Sequence, residues 1–186
     1  MDKQLSFFAL APSTSDHVTQ ENKQEHKKKE IQKPWSIYID GAARGNPGPA
    51  GVGIYVTDGT KAVIKHGFYL GKKTNNQAEY LALAVAVFLI KNLCAEKKID
   101  CPVLHFFSDS ELLVKQMNKY YKVKNAVLIQ IKAIIEGMLV GSKHSFKHVF
   151  REANTVADEL ANHGVDKKNK LPTDFLKFLA DCNLTI

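Results

Sequence analysis

A chain of 186 residues with 45% apolar side chains is long enough for one domain of about 150 residues with appendages, and it can bury a real core. Three cysteines, Cys94, Cys101 and Cys182, show neither a paired pattern nor CxxC spacing, which argues against a disulfide framework and against a cysteine metal site and fits a reducing, cytoplasmic compartment. The net charge of +7 points to a polyanionic partner, and because residues 1–33 hold six lysines against five acids, six of those charges belong to the remainder of the chain.

The N-terminal apolar stretch is short and flanked by acids, unlike a signal peptide, and no apolar run is read as a membrane span. Residues 12–33 are polar and aperiodic, so residues 1–33 read as a disordered tail. Near its start, Gln4, Leu5, Phe7 and Phe8 lie in QLSFF, where two adjacent phenylalanines on a solvated tether form a candidate docking peptide. The pentapeptide resembles the motif by which bacterial proteins bind the sliding clamp, with Phe7 where leucine is commoner.

A folded domain over residues 34–167 follows. Trp35–Ile39 alternates in the manner of a strand and delivers Asp40 to its C-terminal tip. A turn rich in Gly, Asn and Pro comes next, at residues 41–49. Val52–Thr57 and Ala62–Leu70 read as two further strands joined by the Asp58-Gly59 hairpin signal. Thr74 and Gln77 form a capping box that opens a long helix to about Leu93, apolar nearly all round and therefore buried. Val103–Phe107 is a buried strand ending at Ser108-Asp109. Helices are expected over Ser110–Asn118 and Ala126–Leu139, a strand over Ser145–Phe150 passing directly into a helix over Thr155–His163, and a C-terminal helical extension within residues 168–186. The order βββαβααβα implies an α/β fold with a mixed five-stranded sheet, three antiparallel strands followed by two added in parallel through helical crossovers.

Four acids are placed by this order near one end of the sheet. Asp40 and Asp109 end parallel strands, Glu79 lies in the first turns of the long helix, and Asp158 in the first turns of the helix after the last strand. Taken singly, each has an ordinary explanation as a turn residue, a helix cap or a surface acid. Together they form a converging carboxylate set, costly to ionise without cations. All-oxygen ligands call for Mg²⁺, with Mn²⁺ as the close alternative, and two such ions about 4 Å apart suit in-line displacement at phosphorus. A Walker-type nucleotide loop is unsupported, since Gly48 is followed by Pro49-Ala50-Gly51 rather than Gly-Lys-Ser/Thr.

The blocks IDGAARGNPGPAG, TNNQAEYLAL, FFSDSELLV and NTVADELAN, in this order and spacing, closely resemble the type 1 ribonuclease H family across Ser36 to Asp166. The resemblance implies a ribonuclease H-like sheet, Asp40, Glu79, Asp109 and Asp158 as metal-binding catalytic acids, and cleavage of the RNA strand of RNA–DNA hybrids to 3′-hydroxyl and 5′-phosphate ends. It places 2′-hydroxyl contacts at Gly41, Asn46, Asn75 and Asn76, and the phosphate pocket for the DNA strand at Thr74 and Asn125. The stretch from Leu112 to Lys132 carries five lysines, Lys122 and Lys124 among them, two tyrosines and no acid, and reads as a phosphate-contacting surface. The chain departs from longer family members in lacking a His-bearing loop between the last strand and Asp158. Arg151 is the nearest substitute. The basic protrusion of some larger members is also missing. A monomer is expected. A non-catalytic hybrid-binding module on the same fold is the competing reading, but such a module would have lost at least one acid and this chain keeps all four.

Overall fold

The computed structural model describes residues 33–186; the tail, with the candidate docking peptide Gln4, Leu5, Phe7 and Phe8, lies outside the described residues. The elements in chain order are β1 (Trp35–Ala43), β2 (Gly48–Thr57), β3 (Ala62–Lys73), α1 (Asn75–Glu96), β4 (Leu104–Ser108), α2 (Glu111–Met117), α3 (Ala126–Leu139), β5 (His144–His148), α4 (Thr155–Lys167) and α5 (Thr173–Asp181). They build one five-stranded sheet of order β3-β2-β1-β4-β5. β1 pairs antiparallel with β2, and β2 with β3, whereas β1–β4 and β4–β5 are parallel. This is the expected mixed sheet, with the chirally constrained helical crossovers supplying the two parallel strands.

α1 starts as its capping box requires: the Thr74 hydroxyl accepts from the Gln77 N–H at 3.3 Å, and the Gln77 side chain accepts from the Thr74 N–H at 2.9 Å. Thirteen of its 22 residues are buried. By length and composition α1 reaches what a membrane span needs, contrary to the sequence reading, but it lies in the core against β1, β2 and α3. The apolar alternation of β1 puts Ile37 and Ile39 on the α1 side of the sheet. α5 closes the far side of α1, with Phe175 against Phe88 at 5.2 Å and Leu179 buried. α4 packs on the opposite sheet face, over β2 and β3.

Two local expectations are revised. β1 continues to Ala43, so Asp40 sits inside a strand rather than at its tip; pairing with β2 persists through Ala43↔Ala50 because the turn occupies only the few residues from Arg44 to Pro47. β5 ends at His148, and a 3₁₀ turn over Arg151–Ala153 intervenes before α4. The C-terminal helical extension is present as α5, which begins at Thr173 with Pro172 at its cap position.

Candidate active site

The register of the sheet brings the first two acids together. The last β1–β4 pair is Tyr38↔Phe107, and Asp40 and Asp109 each lie two residues further along. β4 ends at Ser108, which leaves the β1 edge uncovered beside Asp40. Strand alternation points Asp40 toward the face that carries α4, the face of its partner Gly53. Glu79 comes from α1 on the other face. The two carboxylates meet only because β4 has stopped, and one oxygen each of Asp40, Glu79 and Asp109 lies within 4.8 Å of the others.

Two glycines set how closely the helices approach. A Cβ on Gly41 would fall inside the backbone of Ala78 and Glu79, so any side chain there would push the start of α1 off β1. The Gly41 N–H also hydrogen-bonds the Glu79 carboxylate. On the opposite face, a Cβ on Gly53 would overlap the Ala157 carbonyl of α4, the residue before Asp158. Gly41 thus has a packing role that its reading as a substrate contact did not include.

Asp158 faces the same cavity of about 370 Å³ but stands apart from the tight group of three. Its Oδ1 accepts from Arg151 Nη2 at 2.8 Å, and its Oδ2 from Asn162 Nδ2 at 3.3 Å. Arg151 is itself exposed and places its positive charge where it also lowers the proton affinity of Asp40 and Glu79.

Crowding of the acids is electrostatically unfavourable. Asp40 is pushed up to about 7, first by burial, then by the charges of Asp109 and Asp158. Burial, followed by Asp40 and Asp109, raises Glu79 well above the ordinary carboxylate range. Glu79 Oε2 is buried and finds no hydrogen-bond partner among the described residues. An unpartnered buried oxygen within a ring of carboxylates fits a hard divalent cation, and Asp40, Glu79 and Asp109 are the residues that could hold one.

The remaining predicted contacts lie at a turn, a bend and two helix starts. Asn46 Oδ1 accepts from the Asn75 N–H at 3.1 Å, tying the β1–β2 turn to the start of α1, where Asn75 lines the cavity and Asn76 is exposed. Thr74 and Asn125 are both helix caps, Asn125 accepting from the Leu128 N–H at 3.1 Å. Lys122 and Lys124 are exposed on the bend between α2 and α3. That bend is anchored to the core by a buried relay: the Tyr80 hydroxyl donates to Gln116 at 2.8 Å, and Gln116 donates to the Lys122 carbonyl at 3.2 Å. Sequence reasoning missed Asn154, which is 1% exposed and donates to Asp109 Oδ1 at 3.0 Å. In the sequence it opens the block NTVADELAN, four residues before Asp158, at a position that also suits an ordinary helix cap.

Comparison with known proteins agrees with this architecture. Residues 38–164 match the family described as reverse transcriptase-like. Ribonuclease HI of Halobacterium salinarum is 36% identical over 131 residues, covering 69% of this chain and 63% of the relative. A bifunctional protein of Mycobacterium tuberculosis is 34% identical over 135 residues, covering 70% of this chain and 35% of the relative. The chain therefore spans under two thirds of the length of these curated relatives. The crystal structure of LC11-RNase H1 in complex with RNA/DNA hybrid superposes with a TM-score of 0.66 at 39% identity, over 72% of this chain and 97% of that one. With a family model matched over most of the folded domain, relatives named ribonuclease H and a superposition on an RNase H1 structure at 39% identity, the chain belongs to the type 1 ribonuclease H family.

Proposed function

We propose that this protein is an endoribonuclease that hydrolyses the RNA strand of RNA–DNA hybrids, leaving 3′-hydroxyl and 5′-phosphate ends. The observation that carries the reading is the convergence of Asp40, Glu79 and Asp109 within 4.8 Å, with Asp158 facing the same cavity. Asp40, Glu79, Asp109 and Asp158 would hold two Mg²⁺ ions, with Mn²⁺ able to replace them. When bound, such ions stabilise negative charge at phosphorus and make water a competent nucleophile at neutral pH.

The protein's own contribution is position. Gly41 lets α1 bring Glu79 against β1, and the strand register holds Asp40 beside Asp109. Arg151 keeps Asp158 at the rim, where longer family members carry the His-bearing loop, and its exposed guanidinium is the group available to meet a phosphate there. The exposed amides of Asn75 and Asn76 can both donate to and accept from a 2′-hydroxyl, which is how RNA is told from DNA across a shallow minor groove. Thr74, Asn125, Lys122 and Lys124 would take the phosphates of the DNA strand.

The test is cleavage of uniformly labelled RNA–DNA, RNA–RNA and DNA–DNA duplexes with and without Mg²⁺. Only the RNA strand of the hybrid should be cut, and only with the ion. Tight binding of the hybrid with no cutting by either ion would make the protein a binding module instead.

We further propose that Gln4, Leu5, Phe7 and Phe8 dock the protein on a bacterial sliding clamp, from the resemblance of QLSFF to clamp-binding pentapeptides. Removing residues 2–10 should leave cutting of free hybrid unchanged and reduce retention on immobilised clamp. Equal retention of both forms would discard this partner.

A further inference from the structure

Asn154 occupies the N-cap position of α4. An asparagine there normally turns its side-chain oxygen back to a free N–H of the first turn, a bond worth about 1 kcal/mol of stability. Asn154 makes no such bond. Its backbone carbonyl accepts from the N–H groups of Ala157 and Asp158 at 3.1 Å, while its side chain turns the other way, into the site. There Nδ2 donates to the Ile39 carbonyl at 2.9 Å and to Asp109 Oδ1 at 3.0 Å. Both amide hydrogens are thereby committed to the site, and Oδ1 is left buried without a partner among the described residues. An omitted cap and an unpaired buried carbonyl oxygen are two local costs at one residue, and such costs collect where function demands them.

The two acceptors explain the demand. Ile39 and Asp109 both lie just past Tyr38↔Phe107, the last β1–β4 pair, so no ladder bond from that pairing holds β1 to the Asp109 segment at this level. Asp109 is only half-buried, and it stands close enough to Asp40 and Glu79 to raise the proton affinity of both. We propose that Asn154 is a positioning residue of the metal site: one amide group ties Asp109 to the β1 backbone and keeps its carboxylate turned toward Asp40 and Glu79. The inference rests on the reading above in which these acids hold a divalent ion, and it adds a residue that touches neither substrate nor metal.

Groups that orient metal-ligating carboxylates typically contribute about 10–100-fold to metal affinity or activity. The experiment uses full-length protein carrying Asn154→Ala or the near-isosteric Asn154→Leu, which preserves volume if the smaller side chain unfolds the chain. Mn²⁺ binding is measured without nucleic acid by paramagnetic resonance, hybrid cutting by steady-state kinetics, and stability by thermal melting in chelator. Both variants should bind Mn²⁺ roughly 10–100-fold more weakly and lose kcat by a similar factor, with KM for the hybrid within about twofold of the parent. In an Asp109→Ala background, where the bond has no acceptor left, the same changes should cost less than about twofold in Mn²⁺ affinity, since coupled residues are non-additive. Variants that melt lower yet bind Mn²⁺ and cut as the parent does would reduce Asn154 to a structural linker and overturn the proposal. Equal losses in both backgrounds would do the same. If the parent binds Mn²⁺ in an Asn154-dependent way but cuts no hybrid, the nuclease reading fails while the positioning role stands.

Discussion

Asp109→Asn should abolish metal-dependent cutting of a labelled RNA–DNA hybrid while leaving hybrid binding within a few-fold of the parent. The substitution keeps the shape of the side chain and its capacity to accept from Asn154, so the local packing survives. What it removes is one negative charge from a group of three carboxylates that meet within 4.8 Å. A ligand charge at such a site carries several kcal/mol of transition-state stabilisation, so the loss should be roughly 10³-fold or more. In the proposed function, hybrid binding is assigned instead to the amides, helix caps and lysines on the α1 start and the α2–α3 bend. Binding should even tighten slightly at low Mg²⁺, because the cluster repels phosphate until it is neutralised. Single-turnover cleavage and gel-shift titration on the same preparation check both halves. Cutting that survives the change would remove Asp109 from the catalytic set.

The second large effect concerns pH and stability. In chelator, the melting temperature should fall as pH rises from 5 to 8, and Mg²⁺ should restore it increasingly toward the alkaline end. Asp40 takes its proton at about 7 in the fold against 3.8 in a free chain, and Glu79 is likewise raised. A carboxylate whose proton affinity rises on folding is satisfied while protonated, so its favourable contribution is present at low pH. It is lost as pH climbs through the folded value, here near neutrality for Asp40. A shift of this size corresponds to no more than about 4 kcal/mol. In a domain of this length, a fraction of that is still about 5 °C in melting temperature. Divalent ions relieve the repulsion among the ionised acids, so their stabilisation grows over the same interval. Asp40→Asn should flatten the chelator curve and raise it at pH 8. A melting temperature independent of pH in chelator, or an Asp40→Asn slope equal to that of the parent, would show that the cluster is not strained by its own charge. Working above pH 5 keeps the ordinary surface acids ionised throughout.

Much of the architecture was legible because it is encoded locally. Thr74 and Gln77 mark the start of α1 by satisfying its free N–H groups themselves, and that capping box is present as read. The apolar alternation of β1 and the length of α1 named their buried faces without reference to any partner. Errors occurred where pairing, not local preference, decides an end. β1 runs on to Ala43 because β2 supplies a ladder partner, and β5 stops at His148 because a 3₁₀ turn takes over. Asp158 faces the same cavity as the other three acids, with its Oδ1 accepting from Arg151 and outside the tight group of three, a detail that depends on how the segment before α4 folds.

The primary structure by itself determined the chemical character of the protein: which acids are present, their placement after strands and at helix starts, and the glycines and amides around them. Such features follow from residue type and spacing, which periodicity and capping convert directly into local geometry. Only the tertiary structure decided how the acids behave. The end of β4 short of Asp40 lets Glu79 reach across from the other sheet face, burial moves the Asp40 proton to near neutrality, and Asn154 turns from capping its helix to tethering Asp109. These are properties of distance and dielectric between segments as much as 115 residues apart, and no local pattern in the chain encodes them.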